Sequence, residues 1–81
     1  MNSDQLTREI ERIINEMLGN RGLEPVSVSA NSRFLSDEVP LDSLDLAVIV
    51  TELQRITGKD PFQAGFRNFR TVGELANLYA A

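Results

Sequence analysis

Asp42-Ser43-Leu44-Asp45-Leu46-Ala47-Val48-Ile49-Val50-Thr51-Glu52-Leu53-Gln54-Arg55-Ile56-Thr57-Gly58 is the stretch whose reading decides the architecture. Asp42 is a good helix cap, and Asp45 follows three residues later, the spacing of a capping box. Leu46, Ile49, Val50, Leu53 and Ile56 recur at helical spacing and make a core face. The spacing predicts a helix from Asp42 or Ser43 to about Thr57-Gly58. Leu44, Val48 and Thr51 form a second side that leads to Arg55. A surface helix ordinarily carries one apolar stripe and one polar face. Two readings therefore stand at this point. Either the helix is central and buried nearly all round, or Leu44 and Val48 are an exposed docking surface. A short chain has few elements with which to cover such a helix.

Working outward, Leu6, Ile10, Ile13, Ile14, Met17 and Leu18 line one face of a helix predicted from about Asp4 to Leu18. Ser3 is its expected cap, Asp4 is favourable in its first turn, and Gly19 or Gly22 supplies the stop. Residues 20–42 hold Pro25, Pro40 and several Ser and Asn without a sustained period. A loop of that length in a compact domain normally has a function. Phe34, Leu35, Val39 and Leu41 are its expected core anchors. Beyond the second helix, Asp60-Pro61-Phe62-Gln63 signals a short helix, with Pro at the first helical position. Thr71-Val72-Gly73-Glu74 is a further capping box, and Val72, Leu75, Ala76 and Tyr79 make the stripe of a last helix. No segment alternates as a strand. The expectation is an all-α single domain over residues 1–81: a small bundle of three main helices plus one short helix, with a long loop between the first two.

Composition narrows the function classes. The chain has 81 residues, 42% of them apolar, with no cysteine and no histidine. Disulfide and thiolate chemistry are excluded, and zinc sites and His-based acid–base catalysis are disfavoured. No apolar run approaches the roughly 20 residues of a membrane span. Met1-Asn2-Ser3-Asp4 lacks the basic and apolar regions of a signal peptide, so a cytoplasmic protein is expected. The net charge of −4 argues against nucleic acid as a partner. Asp37, Glu38, Asp42 and Asp45 fall in one run without Lys or Arg, and that run brackets Ser43. Arg55, Lys59, Arg67 and Arg70 form a later basic stretch. The acidic run contains no turn glycine and no alternate-position ligand pattern, so no metal site is expected.

Ser43 is the focus of that charge. A nucleophilic serine needs an adjacent base, commonly His and sometimes Lys. The chain has no His, and its only lysine, Lys59, belongs to the far end of the second helix. A serine at a helix start is most often just a cap. The remaining reading is a serine on which another enzyme acts.

Asp42-Ser43-Leu44-Asp45 resembles the phosphopantetheine attachment motif of acyl carrier proteins. The resemblance extends over essentially the whole chain. A helix precedes the motif, a long loop carries Phe34-Leu35, and Thr71-Val72-Gly73-Glu74 is similar to the opening of that family's last helix. It implies that the protein is not an enzyme. It implies that Ser43, flanked by Asp42, Leu44 and Asp45, carries 4′-phosphopantetheine through a phosphodiester, with acyl groups held as thioesters on the arm's thiol. A helix N-terminus suits the phosphate. At ~7 Å in water each flanking carboxylate would repel it by only about 0.6 kcal/mol. The implied partners of an expected monomer are a phosphopantetheinyl transferase and acyl-loading, condensing and acyl-transfer enzymes. Asp37, Glu38, Leu44, Val48, Thr51 and Arg55 would meet them. The resemblance also implies an acyl chain folding into the interior against Phe34, Ile49, Val50, Leu53, Ile56 and Leu75.

The chain departs from the pattern where Val48, Gln54 and Arg55 stand at positions at which fatty-acid carriers commonly have Glu. That departure points to a specialised carrier, of a secondary-metabolite or modified-lipid pathway. A peptidyl carrier is the nearer alternative. Such carriers more often have Gly before the motif's Asp, or Gly-Gly ahead of it, so Asp42 and Asp45 favour the acyl type. An unmodified helical adaptor docking through Leu44 and Val48 is the more distant alternative.

Overall fold

In the computed structural model, which describes residues 1–36, 39–63, 65 and 68–80, three helices form one bundle. They are α1 (Ser3–Asn20), α2 (Ser43–Thr57) and α3 (Val72–Tyr79). Among the described residues there is no strand, only the isolated bridges Arg33–Thr71 and Ser36–Val39.

Each helix starts at a reciprocal capping box. At α1 the cap is Asn2 rather than the expected Ser3. The Asn2 side chain accepts from the Gln5 N–H at 2.8 Å, and the Gln5 side chain accepts from the Asn2 N–H at 2.9 Å. Asn caps as well as Ser does, and only from position 2 does Gln5 fall at the reciprocal third place. Ser3 is instead the first helical residue. The helix runs two residues past Leu18 and closes at Gly22, whose φ of 72° is the left-handed region. The Leu23 N–H donates to the Leu18 carbonyl and the Gly22 N–H to that of Gly19, the paired bonds of a Schellman ending.

The long connection is held by side chains of α1. Asn15 bonds both the N–H and the carbonyl of Val26, and a Glu11 carboxylate oxygen accepts from the Val28 N–H at 2.7 Å. Farther on, the loop is bonded to the start of α3. The Phe34 N–H donates to the Arg70 carbonyl, and the Val72 and Gly73 N–H groups donate to Ser32 and Ala30. The loop thus satisfies its backbone without a ladder, which is why it shows no period.

The core gathers Leu6, Ile10, Ile14 and Leu18 of α1, Ile49 and Leu53 of α2, and Val72, Leu75, Ala76 and Tyr79 of α3. Phe34, Val39 and Leu41 anchor the loop in it as expected. Leu35 does not: it is 58% exposed, with a φ of 59°. The left-handed turn sends its side chain outward while Phe34 takes the core position against Phe69, ring centres 5.7 Å apart.

The segment after α2 also differs from expectation. Asp60 caps as predicted, accepting from the Phe62 N–H at 3.2 Å. Among the described residues, however, Pro61–Gln63 make only a turn, and no fourth helix forms there. The turn delivers Phe62 to a row of rings, 6.0 Å from Phe69 and 6.4 Å from Tyr79. Arg67 of the basic stretch lies outside the described residues.

Candidate functional site

Ser43 sits at the first position of α2, exposed, between the end of the long loop and the helix. Capping belongs to its neighbour. The Asp42 side chain accepts from the Asp45 N–H at 3.0 Å, and Asp45 accepts from the Asp42 N–H at 3.1 Å. Ser43 is therefore not the cap, and no hydrogen bond from the described residues engages its hydroxyl. Its own N–H and that of Leu44 fall in the first turn, where a helix offers no carbonyl partner. Lys59 cannot serve Ser43 as a base, because its Nζ donates to the Ala80 carbonyl at the other end of α2.

The two aspartates of the motif have different surroundings. Asp42 is exposed. Asp45 is buried, at 5% exposure, and Arg21 from the end of α1 grips it with both terminal nitrogens, Nη1 at 3.0 Å from Oδ2 and Nη2 on Oδ1. The hydrogen bond from Arg21, followed by that from the Asp42 N–H, holds the Asp45 carboxyl below the usual carboxylate range. The sequence marks both aspartates as flanking Ser43 and does not distinguish them; the structure does. Asp45 is already neutralised within the chain, because a carboxylate this buried needs an opposite charge. Asp37 and Glu38 lie outside the described residues.

Leu44, Val48, Thr51 and Arg55 come together as one exposed strip of α2, Leu44 at 76% and Val48 at 52% exposure. Of the two readings of this helix, the exposed second face is the one observed. Arg55 is paired with Glu52, Nε to Oε1 at 3.0 Å, so the strip carries little net charge at that end.

On the other side of α2 an open cleft of about 480 Å³ begins at Ser43. Leu46, Ala47 and Val50 of α2 line it, facing Leu35, Asp60, Phe62 and Phe69. Of the six residues expected to line an acyl chain, only Val50 borders this cleft. Ile49, Leu53 and Leu75 are wholly buried, Phe34 is buried beneath Phe69, and Ile56 is half-buried. Sequence reading missed Leu35 as a cleft wall, and it missed Phe69, Ala47 and Arg21. No local signal marks these residues, since each acts on a partner distant in sequence. A smaller hollow of about 230 Å³ lies between α1 and α2, with Arg12, Met17, Val48 and Glu52 among its lining.

Among the described residues no cluster of three or more His, Cys, Asp or Glu side chains is assembled that could hold a metal. No helix among them is long and apolar enough to cross a membrane.

The bundle thus presents an exposed serine at the start of α2, beside an apolar cleft. No family model matches the chain. It is similar to acyl carrier protein 2 of Ralstonia nicotianae, 32% identical over 69 residues that span 85% of this chain and 84% of the relative. It is also similar to the solution structure of MacpD, an acyl carrier protein from Pseudomonas fluorescens involved in mupirocin biosynthesis. That likeness has a TM-score of 0.79 and 35% identity, covering 95% of this chain and 69% of that one. The chain belongs to the acyl carrier protein family. It is accordingly a carrier and not an enzyme.

Proposed function

We propose that Ser43 is the attachment point of a 4′-phosphopantetheine arm and that the protein presents acyl thioesters on that arm to biosynthetic enzymes. The observation that carries this reading is the division of labour at the start of α2. Asp42 caps the helix, so the exposed Ser43 hydroxyl is left for another enzyme to use. The residues fit the group. The first-turn N–H groups of Ser43 and Leu44, which have no carbonyl partner within the helix, and the positive end of the helix favour a phosphodiester there. The Asp45 charge, which would oppose it, is compensated by Arg21. When bound, the arm supplies the thiol that a chain without cysteine lacks.

This chain's own residues orient the arm and shelter what it carries. The cleft that starts at Ser43 supports a resting place for the acyl chain along Leu46, Ala47, Val50, Phe62 and Phe69. Leu35 forms part of its rim. Entry deeper, towards Ile49, Leu53 and Leu75, requires the packed core to open. Partners of this reading are a phosphopantetheinyl transferase and acyl-loading, condensing and acyl-transfer enzymes, met by Asp42, Leu44 and Val48. The role of MacpD in mupirocin biosynthesis and the paired Arg55 where acidic carriers have Glu both support a specialised rather than housekeeping carrier. A cytoplasmic location accords with that role.

Incubation with coenzyme A and a broad-specificity transferase tests the reading by intact mass. One phosphopantetheine should be added to the wild type and none to Ser43→Ala. An unchanged wild-type mass with several competent transferases leaves the adaptor reading, docking through Leu44 and Val48. Amide shifts of the holo and acylated forms should differ around Leu46, Val50 and Phe69. Changes confined to Ser43 place the chain outside the cleft.

A further inference from the structure

We propose that Arg21 is a specificity-determining residue: by occupying Asp45 it withdraws that carboxylate from partners and leaves Asp42 as the open negative charge flanking Ser43. The proposal rests on the reading of Ser43 as the attachment point, and it concerns which enzymes can engage that point.

The geometry is specific. Both oxygens of Asp45 are used, Oδ1 by Arg21 and Oδ2 by Arg21 and the Asp42 N–H together. A transferase or acyl-transfer enzyme that addresses acidic residues around the serine with Lys or Arg finds Asp45 buried, with Arg21 on both of its oxygens. To bind there it must displace a two-pronged guanidinium contact, which is stronger and more directional than a single ammonium contact. It must also approach the displaced cation, since the Arg21 side chain is 46% exposed. Like charges brought together across an interface select against a partner.

Arg21 is delivered to this place by the backbone. It is the C-cap of α1, its N–H donating to the Leu18 carbonyl at 3.0 Å, and Gly22 turns the chain immediately after it. The guanidinium thus starts from a fixed point rather than a mobile loop. The helix start does not need the cation to form, because Asp42 and Asp45 already complete the capping box between themselves. What Arg21 adds is a change in the charge presented beside Ser43.

The test is steady-state transfer of the arm from coenzyme A by a transferase with a basic docking surface. Wild type, Arg21→Gln, Arg21→Lys and the double variant Arg21→Gln with Asp45→Asn are compared at low and high salt. Arg21→Gln should lower KM for the carrier roughly three- to tenfold at low salt with kcat unchanged, the gain vanishing at high salt. Arg21→Lys should fall between wild type and Arg21→Gln, because it keeps the charge but not the two-pronged contact, and the double variant should lose the gain. An unchanged or raised KM for a folded Arg21→Gln overturns the proposal. If that variant does not fold, the labelled wild type decides. The Arg21 guanidinium resonances should keep their positions when the transferase binds, and opening of the pair in the complex refutes the proposal. A wild type that takes up no arm sinks both readings, whereas a loaded wild type with an indifferent Arg21→Gln sinks only this one.

Discussion

A Cβ placed on Gly73 would lie 2.9 Å from both the Cβ and the carbonyl oxygen of Ala30. The Gly73 N–H donates to that same carbonyl at 2.8 Å. The first turn of α3 therefore lies directly against the long loop, and the glycine of Thr71-Val72-Gly73-Glu74 is there for the close approach. In an open helix Gly→Ala stabilises by about 1 kcal/mol. Here Gly73→Ala should reverse sign and destabilise by about 1–3 kcal/mol in denaturant unfolding. Ala30→Gly in the same chain should restore part of the loss, since it removes one of the two atoms in the way but not the carbonyl. A stabilised Gly73→Ala shows that the loop yields at no cost.

Asp45 gives stability an acid limb. Its folded pKa is lowered by Arg21 and by the Asp42 N–H. Its contribution is therefore complete above the unfolded carboxylate value of about 3.9 and is lost as pH falls through the lower folded value. Asp45→Asn should be less stable than wild type at neutral pH, with the gap closing in acid. Unfolding series from neutral to strongly acidic pH check this, and a gap that stays constant argues against the paired carboxylate.

Tyr79 gives the opposite limb. Burial, with a smaller effect from the Asp60 charge, pushes its hydroxyl up to about 12. The folded state then holds the proton more tightly than the unfolded one. That contribution is complete below about pH 10 and is lost as pH rises towards the folded value. Tyr79→Phe should flatten the alkaline fall in stability. This is the only tyrosine in a chain without tryptophan, so phenolate absorbance reports it cleanly. Titration near the ordinary value contradicts the burial.

The two sides of α2 should separate stability from recognition. Ile49 is wholly buried, and Ile49→Ala should cost about 2–5 kcal/mol of stability. Leu44→Ala and Val48→Glu alter exposed residues and should move stability by no more than about 0.5 kcal/mol. Each should weaken binding of a cognate enzyme by on the order of 1–3 kcal/mol. Thermal midpoints and titration calorimetry distinguish the two classes, and unfolding of Val48→Glu shows that this strip is packed.

The starts and stops of the helices were legible along the chain because they depend on partners three to six residues away. The boxes at Asp42 and Thr71 complete themselves within one turn, as does the glycine ending of α1. Where two local solutions compete, as between Asn2 and Ser3, spacing to Gln5 decided. The core stripes followed from periodicity, which carries burial information whenever a helix has one covered side. Ser43 was marked by its motif and the acidic run, whereas the choice of an exposed second side of α2 came from the structure. The short helix after Asp60 did not form among the described residues, although its capping bond did: a cap favours a first turn and cannot extend it without packing.

What tertiary structure alone decided are the relationships that join distant positions. Arg21 and Asp45 lie 24 residues apart, and neither carries a mark of the other in sequence. The exposure of Leu35 depends on its left-handed backbone and on Phe34 meeting Phe69. The cleft beside Ser43 takes its walls from the loop, from α2 and from the segment between α2 and α3. Helix propensity and capping act through the nearest turn and are written locally. Charge compensation and cavity shape arise only when the bundle closes, because only then does burial decide which groups must meet.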